Sequence, residues 1–196
     1  MRALRSLVAN HRGVASLEFA IVLPIMLTLL FATYELSQYV RVQLKVDSAA
    51  QSIADMVAQQ AAGVTSGTSG SLGNFCTAGV LMMTPFAVGS SSSTFAVSIA
   101  SVTNYSSSGV TVDWESDKSC STPAKVLGAT AATLATSPTN LIPTAGTPGD
   151  SVIVATVTYV YDSPIQYFFP GLLTLTHTAF ARPRSNGVVA CSSPCT

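Results

Sequence analysis

The amino-acid sequence predicts an α+β protein in which a long N-terminal helix, membrane-spanning in its first half, packs on a small antiparallel β-sheet. Three observations support this fold class. Residues 14–34 contain one charged side chain, Glu18, in an otherwise uncharged and mostly apolar run. Helical periodicity continues beyond that run to residue 62. Farther along the chain, several segments alternate β-branched or aromatic residues with polar ones, which is typical of strands.

Residues 14–34 are predicted to be the transmembrane half of a stem helix. As a helix they rise about 31 Å, enough to cross a hydrocarbon core of about 30 Å. A cleaved secretory signal has a shorter apolar core of about 7–15 residues. Three arginines precede the span, which predicts a cytoplasmic amino terminus and an extracytoplasmic remainder: Arg2, Arg5 and Arg12. Pro24 inside the span predicts a helix kink at a packing interface, or only the ordinary enrichment of proline in membrane helices.

Residues 35–62 are predicted to be the amphipathic outer half of the same helix. Apolar residues recur there at helical spacings and polar residues fill the intervals. Gly63 is the expected stop. A continuous helix over residues 14–62 would be about 70 Å long, with its first half in lipid and its second half against a soluble domain.

Residues 63–74 are rich in Gly, Ser and Thr and are predicted to be a connector to an extracytoplasmic α+β domain over residues 75–196. Residues 78–88 favour either the end of a short helix or an edge strand. The remaining pattern predicts one helix and four strands, the helix over 123–136 and the strands over 94–102, 110–115, 151–161 and 172–182.

The four cysteines all lie beyond the span, in a compartment that permits oxidation: Cys76, Cys120, Cys191 and Cys195. Three disulfide pairings are possible. We favour Cys76–Cys120 together with a small Cys191–Cys195 loop. A zinc site is disfavoured because the chain has no C-x-x-C pair and His177 is the only histidine beyond the span.

Two further clusters have alternative interpretations. Asp113, Glu115 and Asp117 would share one face of a strand, but no glycine turn or distal glutamate completes a calcium loop. We therefore expect a solvated acidic edge. The aromatic run 167–169 is either an exposed contact loop or, as we favour, a set of rings in the core or at the membrane surface.

The sequence predicts that the protein is not an enzyme and has no cofactor, metal or small-molecule substrate. It lacks a nucleophile–base set, a metal-ligand set and a phosphate-binding loop. Without the leader, six basic side chains face nine acidic ones, so nucleic acid is not an expected partner.

Glu18 is a functional candidate because an acid inside a membrane-length segment is costly unless it has a partner. If the chain is cut after Gly13, the new ammonium of Val14 lies about one helical turn from Glu18 of the same or a neighbouring subunit.

The sequence resembles the TadE/TadG-like minor pilin (pseudopilin) family of bacterial tight-adherence (Tad, or Flp) systems. The resemblance is strongest in the register of Gly13, Glu18, Phe19 and Pro24, and it extends to 53–59 and more loosely to Arg182-Pro-Arg184.

The resemblance implies a pseudopilin-like fold and a role in pilus assembly, adhesion and surface attachment. Residues 1–13 would be a prepilin leader, removed between Gly13 and Val14 by a membrane-embedded prepilin peptidase. Glu18 would then set subunit register by pairing with the freed amine, and Phe19 would complete the recognition motif. The implied partners are the inner membrane, the peptidase and other pilin and pilus-assembly subunits.

The implied location is a single pass through the bacterial inner membrane, with the outer domain on the pilus or cell surface after assembly. The alternative is an uncleaved, signal-anchored periplasmic binding or scaffold domain.

Overall fold

A 45-residue helix, α1 (Val14–Ala58), dominates the molecule and crosses one face of a four-stranded sheet. The computed structural model describes residues 14–67, 69–86, 88, 94–116, 126–136, 140–142, 149–184 and 187–192. The other elements follow in chain order: β1 (Val64–Thr65), α2 (Ser71–Met82), β2 (Phe95–Tyr105), β3 (Gly109–Glu115), α3 (Ala129–Thr136), β4 (Ser151–Asp162), β5 (Leu172–Ala181) and β6 (Cys191–Ser192).

The main sheet has the strand order β3-β2-β4-β5, and every neighbouring pair is antiparallel. Strand β4 is central, and its register with β2 runs from Phe95 opposite Tyr159 to Thr103 opposite Ser151. Its end at Asp162 pairs with Leu172 at the start of β5, so a nine-residue loop joins the two strands. We call residues 163–171 the aromatic loop.

Side chains alternate between the two faces of the sheet and build two cores. The larger core lies between the sheet, the outer half of α1 and α2; its central members include Val46, Ile53, Ile99 and Val157. The smaller core lies on the opposite face under α3, and Val154 belongs to it. The domain is therefore three layers, with helices on both faces of one sheet.

The C-terminal segment holds the distal end of α1. The backbone N–H of Arg184 donates to the carbonyl of Ala58 at 3.0 Å, and Val64 N–H donates to the carbonyl of Ala190 at 2.8 Å. Between these contacts the chain leaves α1 through Gly63, whose φ is +86° and whose Cα approaches the Ala190 carbonyl so closely that a Cβ would lie 2.5 Å from its oxygen. Glycine is required there.

The α+β prediction is confirmed, including the long N-terminal helix and the antiparallel sheet. The four predicted strands correspond to β2, β3, β4 and β5. Three details differ. Helix α1 ends at Ala58, because residues 59–62 form turns. Helix α2 begins at Ser71, inside the predicted connector, and it settles the choice for residues 78–88 in favour of a helix end. Helix α3 covers only Ala129–Thr136 of the predicted 123–136, and residues 123–125 lie outside the described part.

Candidate functional site

The first half of α1 projects from the domain without packing on any described element. None of its most apolar 18-residue window is buried, and among the described residues α1 is the one helix long and apolar enough to cross a membrane. The hydroxyls of Thr28 and Thr33 donate to the carbonyls of Ile25 and Leu30 at 2.8 and 2.9 Å. Because both hydroxyls are satisfied within the helix, they are compatible with a hydrocarbon environment.

The predicted processing residues lie at the free end of this helix. Helix α1 begins at Val14, and Gly13 lies outside the described residues. Glu18 and Phe19 are both exposed, and no described residue forms an ion pair with Glu18. The carboxylate is therefore open to a partner outside the domain. The cleavage site and the assembly role of Glu18 and Phe19 stay predictions.

Helix α1 is continuous through Pro24. Proline has no N–H, so the carbonyl one turn earlier, at Ala20, lacks its usual intrahelical donor. The predicted kink at this position stays a prediction.

The outer half of α1 has two faces of different environment. One face, which includes Val42, Val46 and Ile53, is fully buried against the sheet and α2. The opposite face carries a row of exposed aliphatic side chains spaced four residues apart, at Leu36, Val40 and Leu44. We call these three residues the outer row. Leu44 is 63% exposed, although it lies two turns or more beyond the predicted span.

Glu35, the first residue after the predicted span, is completely buried and holds the aromatic loop against α1. Its carboxylate accepts hydrogen bonds from the Ser163 hydroxyl at 3.0 Å, the Tyr167 N–H at 2.9 Å and the Phe168 N–H at 2.8 Å. Phe169, the next residue, stacks on Tyr39, with ring centroids 5.3 Å apart and planes 25° apart. We call this arrangement the Glu35 clamp.

The clamp stabilises the ionised form of Glu35. Burial alone raises the pKa of this carboxyl, but the backbone N–H donors of Tyr167 and Phe168 and the hydroxyl of Ser163 outweigh it. The net result is a pKa below its ordinary value of 4.5. Sequence analysis did not single out Glu35, because its position just past the span is equally typical of a solvated helix surface.

The comparisons with known proteins bear on this same helix. The family model described as TadE-like protein matches residues 13–55. The stem helix is TadE-like. The match covers nearly all of α1, including Glu18, the Glu35 clamp residue and the outer row, and it ends before the outer domain begins. No curated protein and no solved structure matches the chain.

The TadE-like match associates the chain with tight-adherence pilus systems, and together with the exposed apolar half of α1 it indicates a single-pass membrane anchor. The resemblance recognised from the register of Gly13, Glu18 and Phe19 is thereby confirmed for residues 13–55.

Beside the TadE-like helix, an open cavity of about 740 Å³ lies next to the Glu35 clamp. Its lining is mostly aromatic and proline side chains, with Gln38, Thr94 and Asp162 supplying the polar groups. The Asp162 carboxylate accepts a hydrogen bond from the Gln166 side-chain amide at 2.7 Å.

The acidic residues of β3 accept hydrogen bonds within the domain, whereas the sequence predicted a solvated acidic edge. Glu115 is 2% exposed, and its carboxylate accepts hydrogen bonds from the N–H groups of Leu127 and Gly128 just before α3. The Asp113 carboxylate accepts from three hydroxyls, those of Ser101, Thr103 and Tyr105. The prediction of a solvated edge is wrong for Glu115, because these donors compensate its burial. Asp117 lies outside the described residues.

The cysteine pairing stays a prediction. Cys76 and Cys191 pack partly buried against the larger core, and neither is a free thiol. Cys120 and Cys195 lie outside the described residues.

Proposed function

We propose that this chain is a minor pilin or pseudopilin of a tight-adherence pilus. In this proposal the prepilin peptidase cuts between Gly13 and Val14, and the mature subunit leaves the inner membrane for the pilus. The orientation has the amino terminus in the cytoplasm and the domain outside, and it follows the three leader arginines. The subunit then supports adhesion and surface attachment.

The observation that carries the proposal is the unpartnered surface of the TadE-like helix. Up to Tyr34 almost every side chain is exposed, which a membrane explains. The outer row continues the apolar surface for more than two turns on the side away from the sheet, and its last member, Leu44, lies about 15 Å beyond Tyr34, too far for a membrane to explain its exposure. A row of aliphatic side chains at i, i+4 spacing is a surface for packing against another helix. In a pilus that helix is the stem of a neighbouring subunit.

Glu18 supplies the polar part of the same interaction. Its carboxylate has no ion-pair partner among the described residues, and it lies about one turn from Val14, the residue that would carry the new ammonium. A carboxylate and an ammonium in a low-dielectric environment attract strongly, so their pairing would fix the axial register of adjacent stems.

The outer domain has a decorating or capping role in this proposal, not a catalytic one. It adds a sheet and two short helices to a stem that already contains the assembly surface. Initiation, capping or decoration of the fibre therefore suits this chain better than formation of its bulk.

The deciding experiment is mass spectrometry of the mature amino terminus, in cells with and without their prepilin peptidase. A chain that begins at Val14 only when the peptidase is present supports the proposal. The matched control is Gly13→Val, which we expect to stay uncut because a side chain crowds the scissile bond. An intact terminus in both strains would instead favour the uncleaved, signal-anchored binding or scaffold domain.

A further inference from the structure

The aromatic loop displays large apolar side chains that no described element covers. Ile165 is 39% exposed, Phe168 is 50% exposed and Tyr167 is 60% exposed, and Leu172, directly after the loop, is 68% exposed. Residues 163–172 include no Asp, Glu, Lys or Arg. A cluster of apolar side chains of this kind on a soluble surface marks a contact site.

The Glu35 clamp determines where on the molecule this cluster lies. Glu35 directly follows Tyr34, the last residue of the predicted span, and it binds the N–H groups of both Tyr167 and Phe168. Phe169 stacks on Tyr39, one helical turn farther from the span. The loop therefore approaches the span at Tyr167 and Phe168, and the backbone of these two residues lies level with the point where α1 enters the apolar segment.

We propose that the aromatic loop inserts into the interfacial region of the lipid bilayer, beside the point where α1 leaves it. Continuity with the span identifies lipid as the occupant, because the exposed cluster lies level with the end of a membrane-length apolar helix. Tyrosine is enriched at the membrane–water interface, where an apolar ring and a polar tip are both satisfied. The absence of charge from residues 163–172 removes the cost that ionised groups would bring.

This contact seats the outer domain on the membrane surface in one orientation. The Glu35 clamp ties the loop to the helix, so the loop and the span act as two adjacent attachments of one rigid unit. The inference rests on α1 being a membrane anchor, but it does not depend on cleavage after Gly13 or on assembly into a pilus. It goes beyond the proposed function by giving the unassembled subunit a second site of lipid contact.

The test uses the quenching of tryptophan fluorescence by brominated lipid. Trp114 is the only tryptophan, and it is 5% exposed. Trp114 of β3 pairs with Ser101 of β2, and Ser101 pairs with Ile153 of β4. Ile153 is nine residues before Asp162, so Trp114 lies about 30 Å along the strands from the aromatic loop. The native emission is therefore an internal reference that lies outside the bilayer in our proposal.

Three full-length variants each add one tryptophan to this background. Phe168→Trp places it in the loop, and Leu30→Trp places it in the span. Tyr105→Trp, at the far end of β2, is the matched control for an exposed aromatic position on the same domain, since Tyr105 is 40% exposed. Each protein is reconstituted into phosphatidylcholine vesicles with and without bromine on the upper part of the acyl chain.

We expect brominated lipid to quench the added emission of Phe168→Trp and Leu30→Trp, and to leave Tyr105→Trp and the native protein unchanged. Equal, low quenching of Phe168→Trp and Tyr105→Trp, with Leu30→Trp quenched, would overturn the lipid contact while leaving the anchor and the pilus proposal intact. Absence of quenching at Leu30→Trp would overturn the inference together with the membrane anchor. A photo-crosslinker at position 168 that captures another pilus subunit, without lipid quenching, would assign the loop to a protein neighbour instead.

Discussion

Truncation of Leu44 to alanine tests the outer row as a stem–stem contact. Leu44 retains 63% of its exposure in the folded chain, so most of its apolar surface is still free to be buried by a neighbour. Full burial of a leucine side chain contributes about 1.5–3 kcal/mol, so the remaining 63% corresponds to about 1–2 kcal/mol for each contact. That loss weakens each stem–stem association by roughly 5- to 30-fold, since about 1.4 kcal/mol is a factor of ten.

The assay compares the amount of Leu44→Ala subunit in sheared pili with the amount in the membrane fraction. We expect incorporation into pili to fall while the membrane pool and the melting temperature stay near the native values, because surface substitutions usually change stability by less than about 0.5 kcal/mol. The matched control is Val42→Ala, two residues away on the buried face. It should lower the melting temperature, because it removes side-chain volume from the core. Native incorporation of Leu44→Ala would refute the assignment of the outer row to stem packing.

Three other outcomes follow from the structure. Glu18→Ala should still insert into the membrane but fail to reach the pilus, and fractionation that finds it in pili at native levels would contradict the pairing role. The Glu35 clamp should weaken as the pH falls below about 4.5. The pKa of Glu35 is lower in the folded state than in the unfolded chain, so the ionised carboxylate stabilises the fold at higher pH and this stabilisation is lost when the group is protonated. Hydrogen exchange of the two loop amides, corrected for intrinsic rates, measures this, and Glu35→Gln should abolish the pH dependence. Gly79→Val should lower the melting temperature by overpacking, at a cost of about 1–3 kcal/mol, because a Cβ at that position would lie 2.8 Å from Ile53 Cδ1; an unchanged melting temperature would show that Ile53 moves freely.

The stem and the sheet were predictable because their signals are periodic and local. A mostly apolar run of membrane length predicts a span, and alternation of β-branched or aromatic residues with polar ones predicts strands. Alternation did not predict that the central strands β2 and β4 are buried on both faces. The assignments of β2, β3, β4 and β5 depend on such patterns, and their order in the sheet follows from pairings that only the fold displays. Helix ends were less predictable: α1 stops at Ala58, where the carbonyl accepts a hydrogen bond from the backbone N–H of Arg184, a residue far along the chain.

The Glu35 clamp illustrates what local patterns do not contain. Glu35 and the aromatic loop are about 130 residues apart in sequence, and nothing near Glu35 indicates that its partners are backbone N–H groups. The same applies to Glu115. The alternation of β3 predicted a solvated edge there, but the carboxylate is buried and accepts hydrogen bonds from N–H groups just before α3. From sequence alone a charged side chain is expected to be solvated, because the distant donors that compensate the cost of its burial cannot be identified from the sequence.

The sequence by itself determined the membrane-length helix and the α+β class, since both follow from composition and spacing along the chain. Glu18 was a candidate because it is the one charge inside the span, whereas cleavage after Gly13 was implied by the family resemblance. The tertiary structure alone decided which face of the stem stays open and where the aromatic loop lies. Both depend on which side of α1 the sheet covers, and that choice is made by packing between residues far apart in the chain.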